Sequence, residues 1–471
     1  MLARIPVHFK IAFIVLLWGG VVLALHLLSF DSYGINEAAA RALLLNWSVA
    51  DGVVNPIVVF GLPDLRVLLF APLGIYWAGS IAAVKIFTLL IAFSATLMFY
   101  RWARRTMSEE VALIGSGLLL IAPLNFSQIN AVGTGPYLLL LFALGQWLDQ
   151  KYRTVQRHLG GWYFLQLTLA AVAVSLHPAG LAYPFSIIWE WRKNPINKQH
   201  RTHIIAGLLI TTTVILIMRL GWPAMDWGNN PLTQLSHLVF SASPDSAAQS
   251  WMVGLVPAIF LAILLLSEFR RLFDDLLGRM LLGGLLLGAV AADPGWAMLA
   301  LVIFLYNGVD KLIKINQSWS AGGLLGQRGL VLTVIFAAAT VYMIADKTQR
   351  FNIMQGALAP EDEVIRTLTG ELEDRKEPTA TISQWPARTL LATRQSAFPL
   401  PPPAQDAQGL LKNLQGAHFL LFNPYDTKNS DLTRQVSELS NQLKTIMVMP
   451  NCVLIEIENS SRKNEAPASH P

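Results

Sequence analysis

An α-helical polytopic membrane protein is the fold class that this sequence predicts, and three observations lead to it. Of the 471 residues, 54% are hydrophobic and 14% are charged, whereas soluble domains carry about 25% charged residues. Apolar stretches of spanning length, or nearly so, recur from the N-terminus to about residue 345. Basic residues gather in short clusters between these stretches. A chain with so little charge cannot cover a globular surface, so lipid must solvate much of its length.

These apolar stretches predict about 11 transmembrane helices, since a helix crosses the ~30 Å hydrocarbon core in about 20 residues. The stretches that meet at His177-Pro178 and at Asp293-Pro294 form either two spans each or a re-entrant hairpin. Asp293 followed by a proline is also a common helix start. The predicted spans lie near residues 11–29, 81–100, 109–125, 135–149, 160–176, 179–191, 203–220, 251–267, 279–292, 294–309 and 329–346.

The distribution of basic residues predicts a cytoplasmic N-terminus and an external C-terminus. With that orientation, clusters such as Arg101, Arg104 and Arg105 fall at cytoplasmic ends, as the positive-inside rule requires. The outer loops before residue 347 keep few basic residues, namely Arg41, Arg66, Lys85 and Arg219.

Residues 1–346 therefore form the predicted transmembrane domain, and two of its outer segments are long. The first outer loop covers residues 30–79 and the second covers residues 221–250. The apolar stretch RVLLFAPLGIYWAG (66–79) in the first outer loop is too short to span. We expect it to form an interfacial helix along the outer leaflet.

Composition changes at Lys347, where charges return and a small extramembrane α/β domain (347–471) begins. Four short segments rich in apolar and β-branched residues predict strands. SDLTRQVSELSNQL (430–443) has a helix-start signal and helical spacing. PLPPP (399–403) predicts a stiff linker, and the last dozen residues are polar. The predicted strands are TATIS (379–383), HFLLF (418–422), TIMVM (445–449) and CVLIEIE (452–458).

Several functional classes are excluded by composition and motif. The net charge of +5 is not arranged as a basic stripe with aromatics, so we expect no nucleic-acid partner. The single cysteine, Cys452, cannot form an internal disulfide or a cysteine-rich zinc site. No P-loop, His-Glu-x-x-His or calcium-loop motif occurs. An odd number of spans, with no internal repeat, argues against a transporter.

Two carboxylates, Asp31 and Glu37, follow the first predicted span and are the candidate catalytic residues. At the membrane boundary Glu37 can act as a general base, or hold a divalent metal ion against a phosphate. Asp31 is the second candidate for the same role as Glu37. Glu37 also stands four residues before Arg41, which is the spacing of an ordinary ion pair on a helix surface. Both interpretations stay open at this point.

Two further polar residues are weaker candidates for substrate binding. His177 precedes a proline at a helix break, where a histidine usually serves the loop itself. Asp226 lies between Trp222 and Trp227, which suits sugar stacking, although tryptophan is also common at membrane interfaces for its own sake.

The order of these segments resembles the GT-C superfamily of polyprenyl-phosphate-sugar-dependent glycosyltransferases. The pattern is most similar to the branch of lipid A aminoarabinose and protein O-mannosyl transferases. Residues 79–144 resemble that family's second to fourth spans, and TATISQWPARTLLATRQSAFPLP (379–401) resembles the outer domain of some members. The likeness covers most of the chain in architecture, and about the first 150 residues at the level of motifs.

This resemblance implies a GT-C-like arrangement of helices and a site for a lipid phosphate. The basic residues it offers for the phosphate are Arg66, Arg41 and Arg219. Three departures stand out. The family's acidic pair is Asn36-Glu37 here, NAVGTGPY (130–137) lacks the family's second acid, and LPDLR (62–66) replaces its Lys-Pro-Pro-Leu element.

Two functions follow as expectations. The first is an integral membrane glycosyltransferase that moves a sugar from a polyprenyl-phosphate donor to a lipid, glycan or protein acceptor at the outer face. The second is a non-catalytic GT-C-like scaffold or accessory subunit, with envelope-biogenesis partners bound through the outer domain. Because the resemblance is to bacterial members, we expect a multi-pass protein of the bacterial inner membrane with a periplasmic C-terminal domain.

Overall fold

The structure, a computed structural model, is largely helical in its first part and mixed α/β in its last part. The residues it describes are 34–35, 37, 39–44, 81–106, 109–121, 125, 128–129, 131–154, 159–193, 205–210, 212–213, 272–290, 299, 302–303, 360–373, 375, 379–439, 441–449 and 451–457.

The chain divides into two compact units. The first comprises Met1–Phe30, Asp64–Leu69 and Ser80–Thr348. The second comprises Asp31–Pro63, Phe70–Gly79 and Gln349–Pro471. The second unit thus joins most of the first outer loop to the C-terminal α/β domain, although residues 80–348 lie between them in the chain.

Six α-helices of the first unit fall within the described residues. The helix α1 (Ile81–Thr106) ends in Arg104 and Arg105, and a 3₁₀ turn over Pro178–Leu181 joins α4 to α5. The other helices are α2 (Glu109–Ile121), α3 (Gly135–Thr154), α4 (Leu159–Leu176), α5 (Ala182–Lys193) and α6 (Leu276–Val290).

These helices agree in place with the predicted spans near residues 81, 109, 135, 160, 179 and 279, and the predicted break at His177-Pro178 is confirmed. In the part of the chain that the structure describes, one helix, at Ile81–Arg105, is long and apolar enough to cross a membrane. Residues 205–210, 212–213, 299 and 302–303 are helical within two more predicted spans. The spans near 11, 251 and 329, the interfacial helix at 66–79 and the loop at 221–250 lie outside the described residues.

The helices of the first unit pack through one apolar cluster that includes Phe99 of α1, Phe142 of α3, Tyr183 of α5 and Met280 of α6. Small residues allow the closest approaches. A Cβ added to Gly145 would lie 2.4 Å from the hydroxyl oxygen of Tyr183. That hydroxyl donates to Gln166 of α4, whose side-chain amide donates to the Gly145 carbonyl at 2.9 Å. A buried polar chain therefore links α3, α4 and α5.

The C-terminal α/β domain is a five-stranded sheet in the order β2-β1-β3-β5-β4. The parallel part is formed by β2, β1 and β3, and β5 pairs antiparallel with β3 and with β4. The elements are α7 (Pro360–Glu373), β1 (Thr381–Ser383), α8 (Pro386–Thr393), β2 (Ala397–Pro399), α9 (Ala407–Asn413), β3 (Phe419–Phe422), α10 (Ser430–Glu438), β4 (Leu443–Met449) and β5 (Cys452–Ile457).

The alternation of side chains in β3 gives this sheet a core on each face. Phe419 and Leu421 join the cluster that contains Val364 and Leu368 of α7. Leu420 and Phe422 join the opposite cluster, which contains Leu410 of α9 and receives α10. The apolar composition of β3 suits its position at the centre of a sheet that is covered on both faces.

All four predicted strands are confirmed. The helix predicted over 430–443 is confirmed at Ser430–Glu438, but Leu443 begins β4, and the N-cap residue Asn429 makes no side-chain cap hydrogen bond. The predicted linker PLPPP needs a correction at its first residue, because Pro399 closes the edge strand β2 and pairs with Ser383. A proline is tolerated there because an edge strand has one side without ladder partners.

Candidate functional site

Glu37 is the candidate acid whose surroundings the structure describes. Its Oε1 accepts a hydrogen bond from the backbone N–H of Ala387 at 3.1 Å, and its Oε2 accepts one from the N–H of Arg388 at 3.0 Å. Arg41 donates from Nε to Oε1 at 3.1 Å. The Glu37–Arg41 ion pair expected from the four-residue spacing is confirmed. The carboxylate is held by three donors, two of which belong to the C-terminal domain.

The two backbone donors come from the first turn of α8. The N-cap residue of this helix, Trp385, makes no side-chain cap hydrogen bond, and Pro386 follows it in the first turn. A proline has no N–H, so Ala387 and Arg388 carry the first N–H groups that need an acceptor. Glu37 supplies both acceptors, and the partial positive charge of the helix N-terminus favours its anionic form.

Two opposing effects act on the pKa of the Glu37 carboxyl, namely burial and the surrounding hydrogen-bond donors. Burial raises the pKa of the Glu37 carboxyl above its ordinary value, and this effect outweighs the lowering by the Arg388 N–H, the Arg41 charge and the Ala387 N–H. The side chain is 20% exposed. An elevated pKa suits a general base, but three of the roughly four lone-pair positions of the carboxylate are already used.

A second contact lies beside the first. Asp362, in the first turn of α7, accepts the N–H of Gly34 at 3.2 Å and forms an ion pair with the guanidinium of Arg388. Gly34 has φ = 86°, a conformation that favours glycine. Two residues of the first outer loop are therefore bonded to two helices of the C-terminal domain.

Arg41 is the other sequence-predicted residue that lies at this place, where its exposed side chain contacts Glu37. His177 is buried in the first unit, where its Nδ1 accepts the N–H of Ala179 at 3.0 Å and caps the 3₁₀ turn. Asp31, Arg66, Arg219 and Asp226 lie outside the described residues.

Among the residues that the structure describes, no group of three or more His, Cys, Asp or Glu side chains could hold a divalent metal ion. At Glu37 itself, N–H donors occupy the positions that a metal ion would need. The described residues therefore do not fit a metal ion at this carboxylate.

The sequence interpretation missed the burial of Lys85. It counted this residue with the outer loops, although the predicted span near 81–100 contains it; in the structure Lys85 lies in α1 and is 0% exposed. Thr88, one turn further on, is also 0% exposed and shares a 2.8 Å hydrogen bond with the hydroxyl of Tyr137 in α3. A lone charge inside the apolar run IAAVKIFTLLIAF (81–93) was the available signal, because a buried cation in a spanning helix is usually functional.

No protein-family model and no curated protein matches the chain. Two solved structures to which it is similar are those of ArnT from Cupriavidus metallidurans, one in the apo state and one bound to undecaprenyl phosphate. The first is 13% identical at a TM-score of 0.48, covering 94% of this chain and 97% of that chain. The second is 12% identical at a TM-score of 0.48, covering 95% and 98%.

Proposed function

We propose that this chain is an integral membrane glycosyltransferase of GT-C type that takes a polyprenyl-phosphate-linked sugar as its donor. In the proposed reaction, a hydroxyl or amine of the acceptor attacks the anomeric carbon of the sugar. The bond from that carbon to the phosphate oxygen breaks, and polyprenyl phosphate leaves with the electron pair. A carboxylate takes the proton of the acceptor.

The observation that carries this proposal is the bonding of Gly34 and Glu37 to the C-terminal domain. Segments in hydrogen-bond contact must lie on the same side of a membrane, so an even number of spans must separate them. All predicted spans but the first lie between these segments, and their number is even. The contact thus supports a topology in which the acidic first loop and the C-terminal domain share the outer face.

We assign the base to Asp31 rather than to Glu37. The Glu37 carboxylate already accepts from Ala387, Arg388 and Arg41, which leaves it poorly placed to take a proton from an acceptor. Asp31 is the other acid that opens the first outer loop.

Lys85 is our candidate for the cation that faces the lipid phosphate. It stands four residues after the start of α1, at the opposite end from Arg104 and Arg105. If those arginines mark the cytoplasmic end, Lys85 lies near the outer end, where the head group of an outer-leaflet lipid is found. Arg66 and Arg219 remain candidates for the same phosphate, whereas Arg41 is used at Glu37.

The alternative, a non-catalytic scaffold of GT-C type, is favoured by one observation. The first-loop acid that the sequence retains from the family pair, Glu37, serves as a helix cap in this structure. A scaffold would bind the lipid or a partner without transferring sugar.

A turnover experiment separates these two functions. The purified chain would be incubated with a sugar-loaded polyprenyl phosphate and with bacterial membranes as the source of acceptor. We expect unloaded polyprenyl phosphate to accumulate with the wild type and with the surface control Glu438→Gln. We expect none with Asp31→Asn or Lys85→Met. If the wild type binds the loaded lipid without unloading it, the scaffold replaces the transferase.

A further inference from the structure

We propose that Glu37 is a remote N-cap that locks the first outer loop to the C-terminal domain. Its role as a positioning residue for the proposed base rests on the proposed function, whereas the lock itself does not. The residues of the lock are Gly34 and Glu37 on the loop and Asp362, Ala387 and Arg388 on the domain.

The sequence at the start of α8 leaves this helix without a local cap. Helices usually begin with Ser, Thr, Asp or Asn, whose side-chain oxygen accepts an N–H of the first turn. Trp385 has no such oxygen, and the nearby hydroxyl of Ser383 accepts the N–H of Trp385 itself at 3.0 Å. The N–H groups of Ala387 and Arg388 must therefore find an acceptor elsewhere. Ala387 is 0% exposed, so water is a poor substitute.

The Glu37 carboxylate meets this need with one oxygen for each N–H. Ala387 N–H reaches Oε1 at 3.1 Å and Arg388 N–H reaches Oε2 at 3.0 Å. A forked contact of this kind fixes the orientation of the carboxylate as well as its position. Arg41 adds its charge from within the loop, at 3.1 Å from Oε1. Neither a shorter acid nor a single-oxygen acceptor reproduces this arrangement.

Arg388 and Asp362 close the contact into a ring. The Arg388 backbone binds Glu37 while its guanidinium binds Asp362. Asp362 in turn accepts the N–H of Gly34, three residues before Glu37. The Arg388 side chain is 14% exposed and that of Asp362 is 7% exposed. Each link is thus partly shielded from water, and breaking one link exposes the others.

This lock couples the domain to the loop that carries the proposed base. Asp31 stands three residues before Gly34 in the chain. Removing the Glu37 fork would loosen the loop without removing a reacting group. We expect a slower chemical step and a nearly unchanged affinity for the donor, because the group that is displaced is the proposed base and not a donor-binding residue.

Hydrogen–deuterium exchange on the full chain in detergent tests the lock directly. Glu37→Ala should speed exchange at the amides of Ala387 and Arg388 roughly tenfold, the scale of losing a helix cap. Glu37→Gln should protect one of the two amides, because its amide has one acceptor oxygen. Glu438→Gln, an exposed acid in α10, is the matched control and should change neither. Unaltered exchange at both amides in Glu37→Ala would overturn the lock.

Kinetics on the same variants test the positioning role. With sugar-loaded polyprenyl phosphate as donor, Glu37→Ala should lower kcat about tenfold while KM stays within about twofold. Glu37→Gln should restore part of kcat, because its amide oxygen still accepts one N–H although it cannot take a proton. A Glu37→Gln variant as slow as Glu37→Ala would make Glu37 a catalytic residue and overturn the positioning role, and so would an unchanged kcat in Glu37→Ala. If the wild type shows no turnover, the proposed function fails, and the exchange result still decides the lock.

Discussion

The Glu37 carboxylate caps a helix whose first turn contains Arg388, 351 residues later in the chain. A cap is normally a local device, supplied by the residue that precedes the helix. Here the local position holds Trp385, which makes no side-chain cap hydrogen bond. Because the local N-cap residue offers no acceptor, the N-terminus of α8 depends on Glu37, and this dependence connects the first outer loop to the C-terminal domain. The two segments should gain and lose their structure together.

The lone thiol of the chain provides a probe of that domain. Burial raises the pKa of Cys452 to about 12, and the side chain is 0% exposed among residues of α7, β3 and β5. Because the thiolate is the reactive form, we expect maleimide not to label the native chain within hours at pH 7. Full labelling should follow denaturation. Rapid labelling of the native chain would show that this core is open.

We expect Asp362 to contribute strongly to the stability of the C-terminal domain. Asp362→Asn removes the charge that compensates the largely buried Arg388 and weakens the acceptor for Gly34. Loss of one partner of a buried ion pair costs about 3–5 kcal/mol, so Cys452 labelling should accelerate by at least about a hundredfold. Asp431→Asn is the matched control, since its pair with Arg434 is 62–65% exposed. Equal labelling of both variants would contradict a structural role for the Asp362–Arg388 pair.

Glu456 should make the domain sensitive to acid. The hydrogen bond from Arg375 is the main cause that lowers the pKa of Glu456, and Lys444 adds to it. A carboxyl with a lowered folded pKa stabilises the fold above its ordinary pKa of 4.5, and this contribution is lost as the pH falls through the lowered value.

We therefore expect Glu456→Gln to lower the melting temperature at pH 7, and to lower it less at pH 3, relative to the wild type. The partly exposed pair should contribute about 1 kcal/mol or less. Thermal denaturation of the full chain in detergent at the two pH values measures this difference. A larger loss at pH 3 than at pH 7 would reverse the sign and reject the assignment.

A buried ion pair between Glu190 of α5 and Arg279 of α6 should govern the stability of the first unit. The two side chains are 9% and 4% exposed, and Arg279 also donates from Nη1 to the Phe273 carbonyl at 2.7 Å. Arg279→Met removes the cation that compensates a buried carboxylate, and we expect a loss of about 3–5 kcal/mol.

The double variant Glu190→Leu/Arg279→Met should recover much of that loss, because an apolar pair avoids the cost of burying charge. Thermal denaturation in detergent compares the single and double variants. Additive losses in the double variant would show that the two residues act independently.

The sequence predicted the sheet better than it predicted the site. Strands such as HFLLF consist mainly of apolar residues, so the local sequence was sufficient to predict them. The edge strand β2 was missed because Ala397–Pro399 is short and ends in a proline. The spacing of Glu37 and Arg41 predicted their ion pair, since both lie on one helical turn.

The remaining contacts of Glu37 had no local signal. Its two backbone donors are 350 and 351 residues away, and backbone N–H groups are identical in every residue but proline. The sequence showed only that the helix beginning at Trp385-Pro386 has no capping side chain of its own. It did not show which residue supplies the cap. Lys85 was different, since a charge inside an apolar run is visible in the sequence, but it was counted there as part of an outer loop.

Native mass spectrometry of the detergent-purified chain with added polyprenyl phosphate tests the proposed lipid-phosphate site most directly. We expect a one-to-one adduct with the wild type and with Lys151→Met, an exposed lysine of α3. We expect no adduct with Lys85→Met, and none with a polyprenol that lacks the phosphate. A wild type that carries no polyprenyl phosphate at any lipid concentration, or that retains the polyprenol equally well, would contradict a phosphate-recognising membrane transferase.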